Sequence, residues 1–183
     1  MENLFTPRSI RTHSGKYVNV FELTPDMFRI EDVIYSLAKE PRFGGHLNDE
    51  DLYDDERQYS VLQHVIHCVE LTSEQNKFEI LNHENGEAFL RDLAKPIKME
   101  IKQYNEIEDK LLSDIAPIIG FKYPFNEEIH EVDKKMLQFE WDVFMLLKTP
   151  HPNTVPPSQK EYFDKHNKYY IMTKKEARTK FMK

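Results

Sequence analysis

The sequence predicts an all-α fold, a helical bundle with a short N-terminal extended arm or hairpin. Two observations carry that prediction. Apolar residues recur at helical spacing through three long windows, Tyr59 to Leu71, Ile97 to Ile115 and Asn126 to Leu147. Capping residues or breakers stand at the ends of the helical windows, while β-prone residues cluster in Tyr17-Val18-Asn19-Val20-Phe21.

In chain order, Ser14-Gly15-Lys16 is a turn before that β-prone run, so a small hairpin is expected within residues 1 to 23. Thr24, with Pro25 at the next position, reads as the start of a helix that runs to Lys39 through Phe28, Val33, Ile34 and Leu37. Pro41 closes it. Arg42-Phe43-Gly44-Gly45-His46 follows, where paired glycines free the backbone and bring a guanidinium, a phenyl ring and an imidazole together. Residues 48 to 57 read as a mobile acidic surface loop without chemistry of its own.

In the helix from Tyr59 to Leu71, the apolar stripe of Val61, Cys68 and Leu71 includes His64, which therefore faces inward, and His67 falls to the surface. Thr72-Ser73-Glu74 caps a helix through Phe78, Ile80 and Leu81 that delivers Asn82-His83-Glu84 at its end. A long helix from Ile97 ends near Pro117 to Gly120. The next, from Asn126, should bury Ile129, Val132, Met136, Leu137, Val143, Phe144 and Leu147, with Asp133 and Glu140 on the same face. After Pro150, a proline-rich linker of residues 151 to 157 precedes helices over Ser158 to Asn167 and from the capping box Thr173-Lys174-Lys175-Glu176. Residues 1 to 150 read as one domain, with 151 to 183 packing on it.

Composition narrows the function. A chain of 183 residues, 39% hydrophobic and 12% aromatic, supports one globular domain. The formal charge of −7 argues against a general nucleic-acid or membrane-surface binder, and no run approaches the ~20 apolar residues of a membrane span. The single cysteine, Cys68, excludes an internal disulfide and a cysteine-based zinc cluster and points to a reducing, cytoplasmic compartment. A metal would have to sit on histidine and carboxylate.

The sixteen residues from His83 to Lys98 are where such chemistry concentrates. They hold a histidine, the carboxylates Glu84, Glu87 and Asp92, and three basic side chains around Ala88, Phe89 and Leu90. On one helix His83 and Glu87 would share a face, with Glu84 one step around. Imidazole and carboxylate together suit a borderline divalent cation, although an amphipathic helix with a satisfied histidine has the same residues. An inward Asp133 also demands a cation, a metal or a hydrogen-bond network.

Taken together, Arg42-Phe43-Gly44-Gly45-His46, then Tyr59-Ser60-Val61-Leu62-Gln63-His64, then His83-Glu84-x-x-Glu87-x-x-x-x-Asp92 with Pro96 and Lys98, then Asp133, resemble the HD-domain phosphohydrolases. The nearest branch is the YfbR-like 5'-deoxynucleotidases and their phage and prophage relatives, and the resemblance spans residues 12 to 147. It implies an HD-domain helical bundle, a homodimer, and one divalent metal ion (Mn, Co, Zn or Mg) held by His64, His83, Glu84 and Asp133. It further implies that Glu87 and Asp92 orient or activate water and contact the sugar. Arg42, Phe43 and Lys98 would bind substrate, and His46 would protonate the leaving oxygen, bind phosphate or simply cap the turn. Glu84 departs from the family pattern, standing where the signature aspartate is one methylene shorter.

The expected function is hydrolysis of deoxynucleoside monophosphates by a metal-dependent 5'-nucleotidase. Release of triphosphate from deoxynucleoside triphosphates is an alternative, and so is a catalytically silent nucleotide-binding or interaction module in which Glu84 marks lost metal chemistry. A metallopeptidase fails on spacing, because position 87 is glutamate where a second histidine is required.

Overall fold

Ser9–Arg11 (β1) and Tyr17–Asn19 (β2) pair antiparallel with Ile10 opposite Val18, forming the expected hairpin. The computed structural model describes residues 6–47 and 57–183, so the predicted acidic loop lies, apart from Arg57, outside the described residues. The buried carboxylate of Asp32 anchors the hairpin turn by accepting from Thr12 Oγ1 and from the Ser14 amide and hydroxyl, each at 2.7 Å.

The first helix, α1, is Ile30–Leu37, shorter than the run expected from Thr24. Thr24 instead donates to Asp26 Oδ1 at 2.6 Å, and the Met27 amide bonds the Thr24 carbonyl. Those bonds close a local turn rather than open a helix, and Arg29 is extended. Met27 and Phe28 still pack on the core from that turn.

At the centre lies Val61–Leu71 (α2), capped by Ser60, whose hydroxyl accepts from the Gln63 amide. Every residue from Val61 to Cys68 is buried, as expected of a helix covered on all sides. Lys77–Leu81 (α3), Glu87–Leu90 (α4), Lys95–Glu100 (α5) and Lys102–Ile119 (α6) follow. The break at Ile101 divides the helix predicted from Ile97, and left-handed Gly120 ends it.

Glu127–Glu140 (α7), capped by Asn126, continues as a π turn over Trp141–Met145. Ile129, Val132, Met136, Val143 and Phe144 are buried as expected. The π turn shifts the register after it, so that Leu147, expected inside, is exposed with φ 51°; ahead of it, Leu137 is only half-buried and Phe139 fills the core instead. Residues 152–154 of the linker form a short 3-10 turn, ahead of Pro157–His166 (α8) and Lys174–Phe181 (α9).

Two apolar clusters meet across α2. Val61, Leu62 and Ile66 face α1, α6 and the C-terminal Met172 and Ala177, while Tyr59 and Cys68 join Ile80 of α3 and Val132, Met136 and Phe139 of α7. Gln63 binds the tail directly: its Oε1 accepts from the Met172 amide and its Nε2 donates to the Tyr170 carbonyl.

His67, read from the sequence as a surface residue, is fully buried, because α8 and α9 cover the α2 face on which it lies. Gln159 Nε2 lies 3.1 Å from His67 Nε2, so that ring nitrogen accepts, and Nδ1–H donates to the Tyr59 hydroxyl at 3.0 Å. Burial pushes the His67 pKa down to about 4. An unfolded chain takes up that proton near 6.5, whereas the folded one resists it, so this stability is complete above pH 6.5 and fades as pH falls toward 4. The loss should reach about 3 kcal/mol at the acid end. Denaturant titrations of the parent and His67→Gln across this range should converge as pH falls; parallel curves would show that His67 does not carry the dependence.

Candidate metal centre

Local hydrogen bonding turns His83 and Glu84 toward α2. Asn82 Nδ2 donates to the Phe78 carbonyl at 2.7 Å and Asn85 Nδ2 to Asn82 Oδ1 at 2.9 Å, making residues 82–86 a turn after α3. His83 and Glu87 therefore do not share one helix, as the sequence pattern implied; Glu87 instead begins α4 beyond the turn. A second set of bonds docks α3 on the start of α7. There Glu128 accepts from the Ser73 amide at 2.8 Å and Asn76 Nδ2 at 2.5 Å, and Asn126 donates to Asn76. Asp133, on the second turn of α7, thereby comes to His83.

The four predicted ligands converge. His64 Nε2 lies 3.3 Å from His83 Nε2, 3.2 Å from Asp133 Oδ1 and 3.6 Å from Glu84 Oε1. His83 Nε2 is 3.6 Å from Glu84 Oε1 and 3.9 Å from Asp133 Oδ1, and all four donors fall within 4.8 Å of one another. Ligands placed tetrahedrally at about 2.1 Å from an ion are about 3.4 Å apart, so the set fits a single divalent cation. The extra methylene of Glu84 is accommodated, since its carboxylate reaches both histidines.

Both imidazoles are oriented to ligate. His64 Nδ1 donates to Glu140 Oε1 at 2.6 Å and His83 Nδ1 to the Ile80 carbonyl at 2.5 Å, which turns the Nε2 atoms toward the shared centre. Burial opposes charge on His83, but Glu84, Cys68 and Asp133 outweigh it and raise the ring to about 9; His64 is likewise raised against its burial by Cys68 and Glu140. A cation entering the cluster would replace those protons. Cys68, set aside in the sequence reading, belongs here as well: its Sγ is 3.4 Å from His64 Nε2, and His64, Cys68 and His83 form an overlapping donor group.

Arg42 forms the adjacent wall. The Arg42 amide donates to the Tyr59 carbonyl and the Val61 amide to the Glu40 carbonyl, fastening the Arg42 loop to the start of α2. Arg42 is 6% exposed, and its guanidinium meets Glu140 Oε2 at 3.2 Å, Asp92 Oδ2 at 3.2 Å and Glu84 Oε1 at 3.9 Å. Glu40 holds the Asp92 segment in place, pairing with Arg91 at 2.6 Å and accepting from the Asp92 amide. Glu87 is buried with Oε2 unpartnered among the described residues. Burial and the nearby Glu84 and Asp92 charges raise its carboxyl well above the usual range.

The remaining predicted positions divide. Phe43 stacks beside Arg42, 5.6 Å from guanidinium carbon to ring centroid. Lys98 pairs with Glu108 at 2.6 Å, and from there its charge acts on Glu87 and Glu84. The His46 side chain is exposed and makes no hydrogen bond or ion pair among the described residues, while its amide closes the turn onto the Phe43 carbonyl.

Sequence reasoning puts Glu140 on the inner face of α7 with Asp133 but gives it no part in the site. Fully buried, it binds His64 and Arg42 and also accepts from Tyr59. The signal was its seven-residue spacing from Asp133, which puts both carboxylates on one stripe of α7.

Fold and site together define a mostly helical protein with a partly buried two-histidine, two-carboxylate centre suited to a divalent ion. No family model matches the sequence. The chain is 30% identical over 131 residues to the uncharacterized protein YfdR of Escherichia coli (strain K12), an alignment covering 72% of this chain and 69% of that protein, and it belongs to the same family. That relative's name assigns no activity. No helix among the described residues is long and apolar enough to cross a membrane.

Proposed function

We propose that the chain is an HD-domain-type phosphohydrolase that uses one divalent ion to hydrolyse nucleotides, with deoxynucleoside monophosphates as substrates. The observation that carries this reading is the union of His64, His83, Glu84 and Asp133 in one cluster, with Arg42 reaching 3.9 Å from a ligand carboxylate. A peptidase or a plain structural site has no need of a buried arginine there, whereas a phosphate ester does.

A divalent cation held by those four residues would supply Lewis acidity to a phosphoryl oxygen. Arg42 binds the other phosphate oxygens, with Glu140 and Asp92 fixing its fork. Glu87, whose raised pKa marks it as a strong base and whose Oε2 has no partner among the described residues, would act as the carboxylate once a cation is held beside it, taking a proton from attacking water as the phosphorus–sugar oxygen bond breaks and passing it to the departing oxygen, while Lys98 tempers the negative charge around it. Asp92 accepts from a sugar hydroxyl once substrate draws Arg42 toward phosphate.

The test is product analysis on protein stripped with chelator and supplied singly with Mn, Co, Zn or Mg, over a panel of deoxynucleoside mono- and triphosphates. Inorganic phosphate from the monophosphates is expected, together with an ion-dependent rise in melting temperature, and both should vanish in His83→Ala. Triphosphate as product would transfer the reading to the triphosphohydrolases. Folded protein without turnover or ion-dependent stabilisation would overturn it.

A further inference from the structure

We infer that Phe43 and Trp141 form the two walls of a ring-binding corner beside the metal centre, and that its occupant is a nucleobase. The inference rests on the nucleotide reading above and adds to it a specificity-determining residue, Trp141.

The α geometry of α7 ends at Glu140, the residue that grips His64 and Arg42. Over the next five residues the chain switches to π geometry, with the Leu146 amide bonding the Trp141 carbonyl at 3.0 Å. Such turns are uncommon and concentrate at functional sites. Here the turn begins with the only tryptophan in the sequence, next in the chain to the buried Glu140 yet itself 44% exposed.

Phe43 is constrained as well, and half-buried. Its φ is 54°, a left-handed conformation that a phenyl-bearing residue adopts only under strain, although Gly44 and Gly45 next to it adopt positive φ freely. The strained backbone sets the Phe43 ring against the Arg42 guanidinium and within 6.0 Å of the Trp141 indole by ring centroids, tilted by 59°. Two aromatic planes at that angle bound an open corner. A third planar ring can stack on one and present its edge to the other.

A single exposed aromatic residue is ordinary. A strained phenylalanine that meets both a π-turn tryptophan and the phosphate-binding arginine is not. Arg42 spans the gap between the two parts of the site, lying against Glu84 on one side and Phe43 on the other. A ligand that engages both carries an anionic group for the centre and a planar ring for the corner, as a nucleotide does and a sugar phosphate does not. Stacking on one aromatic side chain is worth about 5- to 150-fold in affinity.

Trp141 is its own reporter. Full-length protein should be titrated with deoxyadenosine monophosphate and with 2-deoxyribose 5-phosphate, following indole emission and, in parallel, heat of binding. The nucleotide should quench emission and the sugar phosphate should not. Trp141→Ala should weaken nucleotide binding by about 5- to 150-fold and leave the sugar phosphate unchanged, while Trp141→Phe should retain most of the affinity. Equal affinity for the two probes, an unchanged Trp141→Ala, or no binding of either would overturn the inference. Quenching that depends on Trp141, with no phosphate released under any ion, would uphold the corner and sink the hydrolase; phosphate release with Trp141 silent and KM unchanged in Trp141→Ala would do the reverse.

Discussion

Arg42→Met should lower the unfolding free energy by about 3–5 kcal/mol, the range for removing one partner of a buried ion pair. Arg42 is 6% exposed and faces Glu140, Asp92 and Glu84, of which Glu140 is fully buried. Methionine fills much of the volume but leaves these carboxylates without their cation. Urea denaturation of metal-free protein reads the loss as a fall in midpoint with little change in slope. Neutralising the deepest partner as well, in Arg42→Met/Glu140→Gln, should recover part of the loss. If the double variant loses as much as its two singles added together, Glu140 matters mainly through His64 and Tyr59 rather than through Arg42.

That arginine shows what the sequence made legible. Its pattern with Phe43 and the two glycines marked the loop, because glycine spacing encodes backbone freedom directly. The periodicity of α2 turned His64 inward, and that of α7 turned Asp133 toward a cation, so the four candidate ligands were visible from spacing and resemblance. Placement that depends on long-range packing was less visible. His67 falls off the apolar stripe of its own helix and becomes buried only because helices almost a hundred residues later cover it. Thr24-Pro25-Asp26 has the residues of a helix start, yet the threonine hydroxyl is satisfied within the turn, which single-residue preferences do not distinguish. Leu147 was misplaced because the π turn breaks the 3.6-residue period from which its position was counted. Cys68 entered the site through the helical period itself, one turn after His64, although a lone cysteine had been weighed only as a disulfide or zinc-finger residue.

Glu87→Gln should reduce turnover of deoxynucleoside monophosphates by about 10²- to 10⁴-fold, the usual worth of a positioned general base, with KM changed little. The structure allows this test to be clean. Glutamine keeps the shape of a buried side chain packed where α4 begins, and Oε2 makes no hydrogen bond among the described residues that the substitution would remove. Its carboxyl is already driven toward the neutral form by burial and by Glu84 and Asp92, so exchanging it for a neutral amide should leave the melting temperature of metal-free protein unchanged or raise it. A residue acting only as scaffold would give the opposite split, with stability lost and turnover per folded molecule retained. Ion-dependent stabilisation should persist in Glu87→Gln and disappear in His83→Ala, separating the residue that handles the proton from one that holds the cation. Turnover within a few-fold of the parent would remove Glu87 from the reaction and return attention to Asp133, the ligand carboxylate most open to solvent at 42% side-chain exposure.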